Sequence, residues 1–509
     1  MKKSVKISLY VVGAILSVTI IIFFFNNYAE NEIQKSLDEN LEKLGGSYNK
    51  INVNLLGRKV SISEAEFKVS GKNLKVKNIE VTEIGLWEYI VNKNISVGEL
   101  IITQPQVKIY QSQNTESDSI KTSPDKEKHF KKQIFLEKVS VLGGALNIYE
   151  QDSLRTKLFF KLKEVILEDV NINSKTLREK VPFQYSLSRL TSDSVYYNLS
   201  DLHVLMLEDF NLQNNKLSVT NLKIKAKFNK VAHQKHTPVE RDWYDLNIGS
   251  LLLSDLTWNF QNDSLKFQNS YTEISEVNFE IYRDKLLPDD LTRKPMYSEM
   301  LRDLPVKLKL DSIKVKNMFL KYEERIDASR KPGLVDFDNI NASIYNVVNI
   351  GMNKADFPKT QIKARSKFMN EATLNLDWVF DISNKYDQFQ VSGNMYSLTG
   401  DGMNNFLKPA MNIEASGNIT SMYFNFAGDE ANATGDMRLD YDKFKVEVLR
   451  KNGEKKNKFL TALANLVVKN DGTNKEANIK SIEVERDVTK SFWNYLWKCI
   501  EKGALKTFL

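Results

Sequence analysis

The chain has 509 residues, 42% of them hydrophobic and 27% charged, the proportions of a folded protein and not of a disordered or low-complexity one. Its 72 Lys and Arg against 65 Asp and Glu leave a net +7, spread along the chain; this argues against a nucleic-acid partner and only hints at affinity for anionic lipid. The single Cys499 excludes an intrachain disulfide and a cysteine metal cluster, and 4 His leave little room for a metal site.

The first element is an apolar run at 7–25, with Ser8, Tyr10, Ser17 and Thr19 its polar members. A helix of about 20 such residues crosses a bilayer. Lys2, Lys3 and Lys6 precede it, and Asn26, Asn27, Glu30 and Glu32 follow. That asymmetry keeps the N-terminus in the cytoplasm and sends the rest across. A cleaved signal peptide has a shorter core and a small-x-small site, and Asn27-Tyr28-Ala29 lacks the first small residue. Residues 1–29 are therefore expected to be an uncleaved anchor. Residues 30–46 follow as an amphipathic helix, with Ile33, Leu37, Leu41 and Leu44 at helical spacing and Gly45-Gly46 at its end.

From 47 to 398 strands dominate. Runs at 51–55, 59–62, 64–69 and 74–84 alternate with period two, and 86–91, with Trp87 and Tyr89, reads as a helical turn. Ile95 to Tyr110 then defines a unit. Ile95 and Val97 alternate, the phase slips at Gly98–Leu100, and Leu100 and Ile102 resume it. Gln104-Pro105 breaks the run, and Val107, Ile109 and a closing Tyr110 follow. A Gly at a phase slip fits a β-bulge, and a Pro belongs at the break because it donates nothing to a ladder. The pattern recurs at Phe135–Tyr149, Leu246–Phe260 and Leu308–Tyr322, unevenly spaced, so it is a reused unit and not a short-period solenoid.

Residues 111–132 are polar and read as a mobile loop. Leu222 to Phe228 is the cleanest strand, with Leu222, Ile224, Ala226 and Phe228 on one face and Lys223, Lys225 and Lys227 on the other. His233 and His236 fall in a polar loop at 229–241. Without further ligands they are expected to be exposed and to bind no metal. Pro288–Leu304 holds a short helix, with Asp289-Asp290 as its acidic start. The region 399–489 opens with a helical corner around Leu398, Met403, Phe406 and Leu407, ending at Pro409. It continues as strands punctuated by turns at Gly417, Gly428 and Gly435. Residues 459–467 show helical spacing, and 479–485 reads as a strand. Residues 490–509 form an amphipathic helix bearing Phe492, Trp493, Leu496, Trp497 and Ile500. Two readings of it stay open: a membrane-interface helix presenting Phe492, Trp493 and Trp497, or a plug on the end of an apolar sheet.

No nucleophile elbow, phosphate loop, zinc motif or dinucleotide fingerprint occurs, so neither catalysis nor a cofactor is expected. The expected fold is mainly β: a long twisted antiparallel sheet, curled into an open groove with an apolar inner face and short terminal capping helices. Its floor candidates are Ile95, Val97, Leu100, Ile102, Val107 and Ile109, then Leu222, Ile224 and Phe228, then Ile313 and Val315. Acyl chains would fill such a groove at roughly 25 cal/mol per Å² of apolar surface removed from water. Some twenty strands at about 4.8 Å each would reach roughly 100 Å.

The anchor, the repeated unit, the Met403–Pro409 corner and the stretch GNITSMYFNFAGDEANATGDMRLDYDKFKVEVL resemble the AsmA-like proteins of Gram-negative envelopes. The ending RDVTKSFWNYLWKCIEKGALKTFL looks like Bacteroidetes-type members. The resemblance covers most of the chain and is sharp over about its last hundred residues. It implies a bridge-like lipid transfer protein, anchored in the inner membrane with its bulk in the periplasm. Such a protein moves phospholipids between inner and outer membranes or supports outer-membrane integrity. It supplies no catalytic residues. The alternative is a non-enzymatic assembly factor that holds envelope proteins by its sheet edges.

Overall fold

The structure, a computed structural model, describes residues 46–54, 56–69, 72–85, 94–110, 133–150, 155–179, 181–261, 264–449 and 479–508. The expected anchor at 7–25, the amphipathic helix at 30–44, the turn at 86–91, the loop at 111–132 and the segment at 459–467 lie outside these residues. Among the described residues no helix is long and apolar enough to cross a membrane. The protein is mainly β, and among the described residues 23 strands are joined in one sheet. Its contacts divide it into two compact units, Met1–Leu199 with Leu205–Thr220, and Ser200–Val204 with Asn221–Leu509.

In the first unit the strands alternate as their sequences do. Lys72–Thr82 buries Leu74, Val76, Ile79 and Val81, and Ile95–Thr103 buries Ile95, Val97, Leu100 and Ile102. These side chains meet one another and Val60, Ile62, Ile134 and Leu136 in one apolar core. The slip at Gly98 is real. Gly98 lies against Glu83, which adopts the left-handed conformation of a bulge. Gly249 lies against Glu276 in the same way in the third copy of the unit.

The first two copies pair side by side. Ile95–Thr103 and Gln106–Tyr110 run parallel to Ile134–Tyr149, with Ile95 opposite Ile134 and Ile109 opposite Ile148. The closing rings of Tyr110 and Tyr149 stack at 5.2 Å. Gly144 faces the Pro break: a Cβ there would come within 2.8 Å of the Pro105 carbonyl, so only glycine fits. The later copies do not pair this way. Trp243–Ser254 and Thr257–Gln261 run antiparallel to Ser264–Asp284, which separates them from Lys307–Arg325.

The expectation of an antiparallel sheet is corrected at two places. Besides the junction at Ile134–Tyr149, Ser264–Asp284 runs parallel to Lys307–Arg325. A parallel pair cannot be closed by a tight turn and needs a crossover of a dozen or more residues. Residues 111–133 and 285–306 are those two connections.

A second correction concerns the C-terminal strands. Ile413–Gly428 and Asn432–Val448 are two long strands, so Gly417 and Gly435 lie inside strands and only Gly428 ends one. Gly417 has φ +82°, and a Cβ on it would stand 2.2 Å from the Lys443 carbonyl. It marks a register shift between Ser416 and Asn418, which demands glycine as a turn does. The helical corner is present as Gly400–Phe406, capped by the Thr399 hydroxyl accepting from the Gly402 amide. It runs on through Leu407–Met411 to a left-handed Asn412, past Pro409.

Candidate apolar binding face

Four consecutive strands of the second unit, Trp243–Ser254, Ser264–Asp284, Lys307–Arg325 and Gly333–Val348, line up apolar side chains in rows. Cross-strand partners project to one face of a sheet. Leu246 is opposite Phe279, Phe279 beside Leu320, and Leu320 opposite Phe337. Ile248, Val277, Met318 and Ile340 form the next row. Beyond the bulge residues Glu276, Asn317 and Asn339, Ile274, Val315 and Ala342 align, as do Thr272, Ile313 and Ile344. Most of these side chains are half-buried, neither sealed nor fully in solvent.

The opposite face is ionic. Asp245, Glu280, Lys321 and Asp336 form a row there. Lys225 reaches Asp245 at 3.4 Å, and Lys316 reaches Glu273 at 2.8 Å. Period-two alternation thus separates an apolar side from a charged one.

The residues singled out in the sequence fall into two groups. Ile313 and Val315 lie on this face. Leu222 and Ile224 lie half-buried on Lys216–Ala226, on the side away from the Lys225–Asp245 pair. Phe228 falls beyond that strand, its ring stacked on His236 at 3.9 Å. The other six belong elsewhere: Ile95, Val97, Leu100 and Ile102 are 0–1% exposed, Val107 6% and Ile109 3%, all inside the first unit's core. They are packed into that apolar core and are closed to solvent. Tyr244, Leu246, Phe279, Leu320 and Phe337 were missed as site residues. The strand carrying Phe279 hides its pattern, because Asn269, Thr272 and Glu276 interrupt the alternation.

One end of the face is polar. Arg283 donates two hydrogen bonds to Asp242, both at 2.7 Å, and the Tyr322 hydroxyl donates to Glu324 at 2.7 Å. Burial, then the Glu324 charge, pushes the Tyr322 hydroxyl well above the usual phenol range. Nearby, the His203 ring stacks on Tyr244 at 3.8 Å and meets His233 edge-on at 5.4 Å. Burial, with smaller contributions from His233 and Lys227, lowers the His203 imidazole to about 4. His233 is buried, which corrects its reading as an exposed loop residue. Residues Lys230–Gln234 form a short helix, capped by Asn229 accepting from the Ala232 amide at 2.8 Å, that turns His233 inward. Among the described residues no three His, Cys, Asp or Glu side chains are placed to hold a metal ion.

The C-terminal helix Phe492–Phe508 sets Phe492, Tyr495, Leu496 and Cys499 into the second unit's apolar cluster. Phe492, 2% exposed, lies flat on Trp378 at 4.5 Å and edge-on to Phe389 at 5.1 Å. Of the three membrane-interface candidates Phe492 is therefore a core residue, because its position on the helix faces the sheet. Trp493 and Trp497 stay 49% and 42% exposed. Trp493 Nε1 donates to the Tyr297 hydroxyl at 2.9 Å. Comparison with protein-family models and with curated proteins gives no match to this chain.

Proposed function

We propose that this protein binds or conducts phospholipids along its apolar sheet face, which forms the floor of an open groove. Residues 1–29 hold the chain in a bacterial inner membrane, and the bulk reaches through the periplasm toward the outer membrane, whose integrity it supports. The observation that carries this reading is the in-register rows of half-buried apolar side chains from Leu246 to Phe337. An acyl methylene laid against such a face and removed from water gains up to about 0.8 kcal/mol. The charged opposite face keeps the sheet soluble. Exposed Trp493 and Trp497, on a helix that also carries Lys498, are residue types that settle at a membrane interface. The likeness of the last hundred residues to AsmA-like proteins points the same way.

A second reading, a non-enzymatic assembly factor for envelope proteins, is favoured by the sealed core of the first unit. The two are separated by purifying the full chain and identifying what it carries. Phospholipid extracted from the unaltered protein and lost from a folded Ile224→Asp variant supports the lipid reading. Envelope proteins in its place, with no phospholipid, overturn it.

A further inference from the structure

The strand Ile479–Glu485 pairs on one side with Asn432–Val448 and, among the described residues, has no strand on the other. Its ladder phase can be read. The Arg486 amide donates to the Ala431 carbonyl at 2.7 Å. Residues that exchange such bonds alternate along an antiparallel pair. Val484, Ile482 and Lys480 therefore turn their amides and carbonyls toward Asn432–Val448, and Glu485, Glu483 and Ser481 turn theirs outward. A row of outward backbone groups is a template for another strand.

Two of those carbonyls are already occupied. Lys506 Nζ donates to the Ser481 carbonyl at 2.9 Å, and Lys502 Nζ donates to the Glu483 carbonyl. The match is geometric. Four residues of helix rise about 6 Å, and two residues of strand advance roughly 6.7 Å. Successive lysines on one helix face thus meet successive outward carbonyls. The helix is seated for this by Gly503, where a Cβ would come within 2.5 Å of Met437 Sδ and 2.7 Å of Ile482. Exposed contacts of this kind add little stability, so stability does not account for them.

We propose that Lys502 and Lys506 guard this edge against pairing with the same strand of a second copy of the chain. The strand is otherwise suited to pair with itself. Antiparallel pairing about Ile482 sets Ser481 opposite Glu483, Lys480 opposite Val484 and Ile479 opposite Glu485, with no like charges facing. The two ammonium groups are then what a partner strand must displace.

The test compares sedimentation of the full chain in mild detergent with that of a Lys502→Ala/Lys506→Ala double variant, over a range of concentrations. Alanine suits an exposed helix position, and circular dichroism checks the fold. The double variant is expected to gain a dimer or larger species that the unaltered chain lacks, with slowed hydrogen exchange at the Ser481 and Glu483 amides. Adding Ser481→Pro removes an outward N–H and no bond of the existing ladder, so it should return the variant to the original mass. A Lys502→Arg/Lys506→Arg variant should stay at that mass. The proposal is overturned if the double variant sediments like the unaltered chain. It is equally overturned if the new species survives Ser481→Pro or forms without protecting those two amides.

Discussion

Truncating a sealed residue should cost several times what truncating a face residue costs. Leu100 is 0% exposed within the first unit's core, and Ile313 is half-buried on the second unit's apolar face. Leu100→Ala removes three buried carbons, about 2.4 kcal/mol at about 0.8 kcal/mol each. The neighbours cannot collapse fully into the gap, because Val97, Ile102, Val139 and Leu136 belong to the same packed cluster. The residual cavity brings the expected loss to about 3–5 kcal/mol. Ile313→Ala removes as many carbons, but water already reaches part of them and no closed cavity forms. Its expected loss is about 1 kcal/mol. Urea unfolding followed by hydrogen exchange, read separately on peptides from 95–110 and from 307–325, measures both. At a urea dependence of about 1–3 kcal/mol per molar, Leu100→Ala moves the first unit's midpoint by at least roughly 1 M. A loss under about 1 kcal/mol at Leu100, or equal losses at the two positions, refutes the division between core and face.

Phe492→Ala should destabilise the second unit by about 3–5 kcal/mol, since the ring is fully packed between Trp378 and Phe389, whereas Trp493→Ser should cost under about 1.5 kcal/mol; paired thermal melts decide it. Arg302→Met should cost about 3–5 kcal/mol in the same assay. It strips the guanidinium at 2.9 Å from Asp387, itself 2% exposed, and leaves that carboxylate with the Ser298 hydroxyl alone. Acid should weaken the fold through His203. Its folded value, about 4, lies below the ordinary 6.5, so the neutral ring is the form the fold holds. That contribution is complete above about pH 6.5 and is lost as pH falls toward 4, up to about 3 kcal/mol. A His203→Phe variant should flatten this part of the stability–pH profile, and an unchanged profile sinks the assignment.

The sequence made the strands legible because period two survives in it. Ile95, Val97, Leu100 and Ile102 announce a strand with one slip, and Gly98 marks where the slip falls. The direction of pairing does not show, since parallel and antiparallel partners demand the same alternation. Only the long connections at 111–133 and 285–306 carry that information. Alternation is equally silent on whether an apolar face is covered, so Ile95 and Ile313 read alike although one is sealed and the other half-open. Gly417 reads as a turn because a bulge and a turn ask the same thing of the backbone. His233 reads as a loop residue because a five-residue helix is too short to show a period.

The crossover that makes one parallel junction possible also explains how the C-terminal helix is held. Residues 285–306 must travel back along the length of Ser264–Asp284, and a slack segment of that size would cost order without return. It is fastened instead at successive points. The Lys294 amide donates to the Val488 carbonyl at 2.8 Å, and the Arg486 guanidinium donates back to the Lys294 carbonyl. Lys490 sits 2.9 Å from Asp289, Trp493 bonds Tyr297, and Arg302 closes on Asp387. Phe492 and Met296 then share one apolar cluster with Trp378 and Phe389. Crossover and helix therefore share one apolar cluster on the sheet, and each adds to the burial of the other. A parallel junction, which costs the sheet a long connection, here supplies the contacts that fasten the first turn of the C-terminal helix.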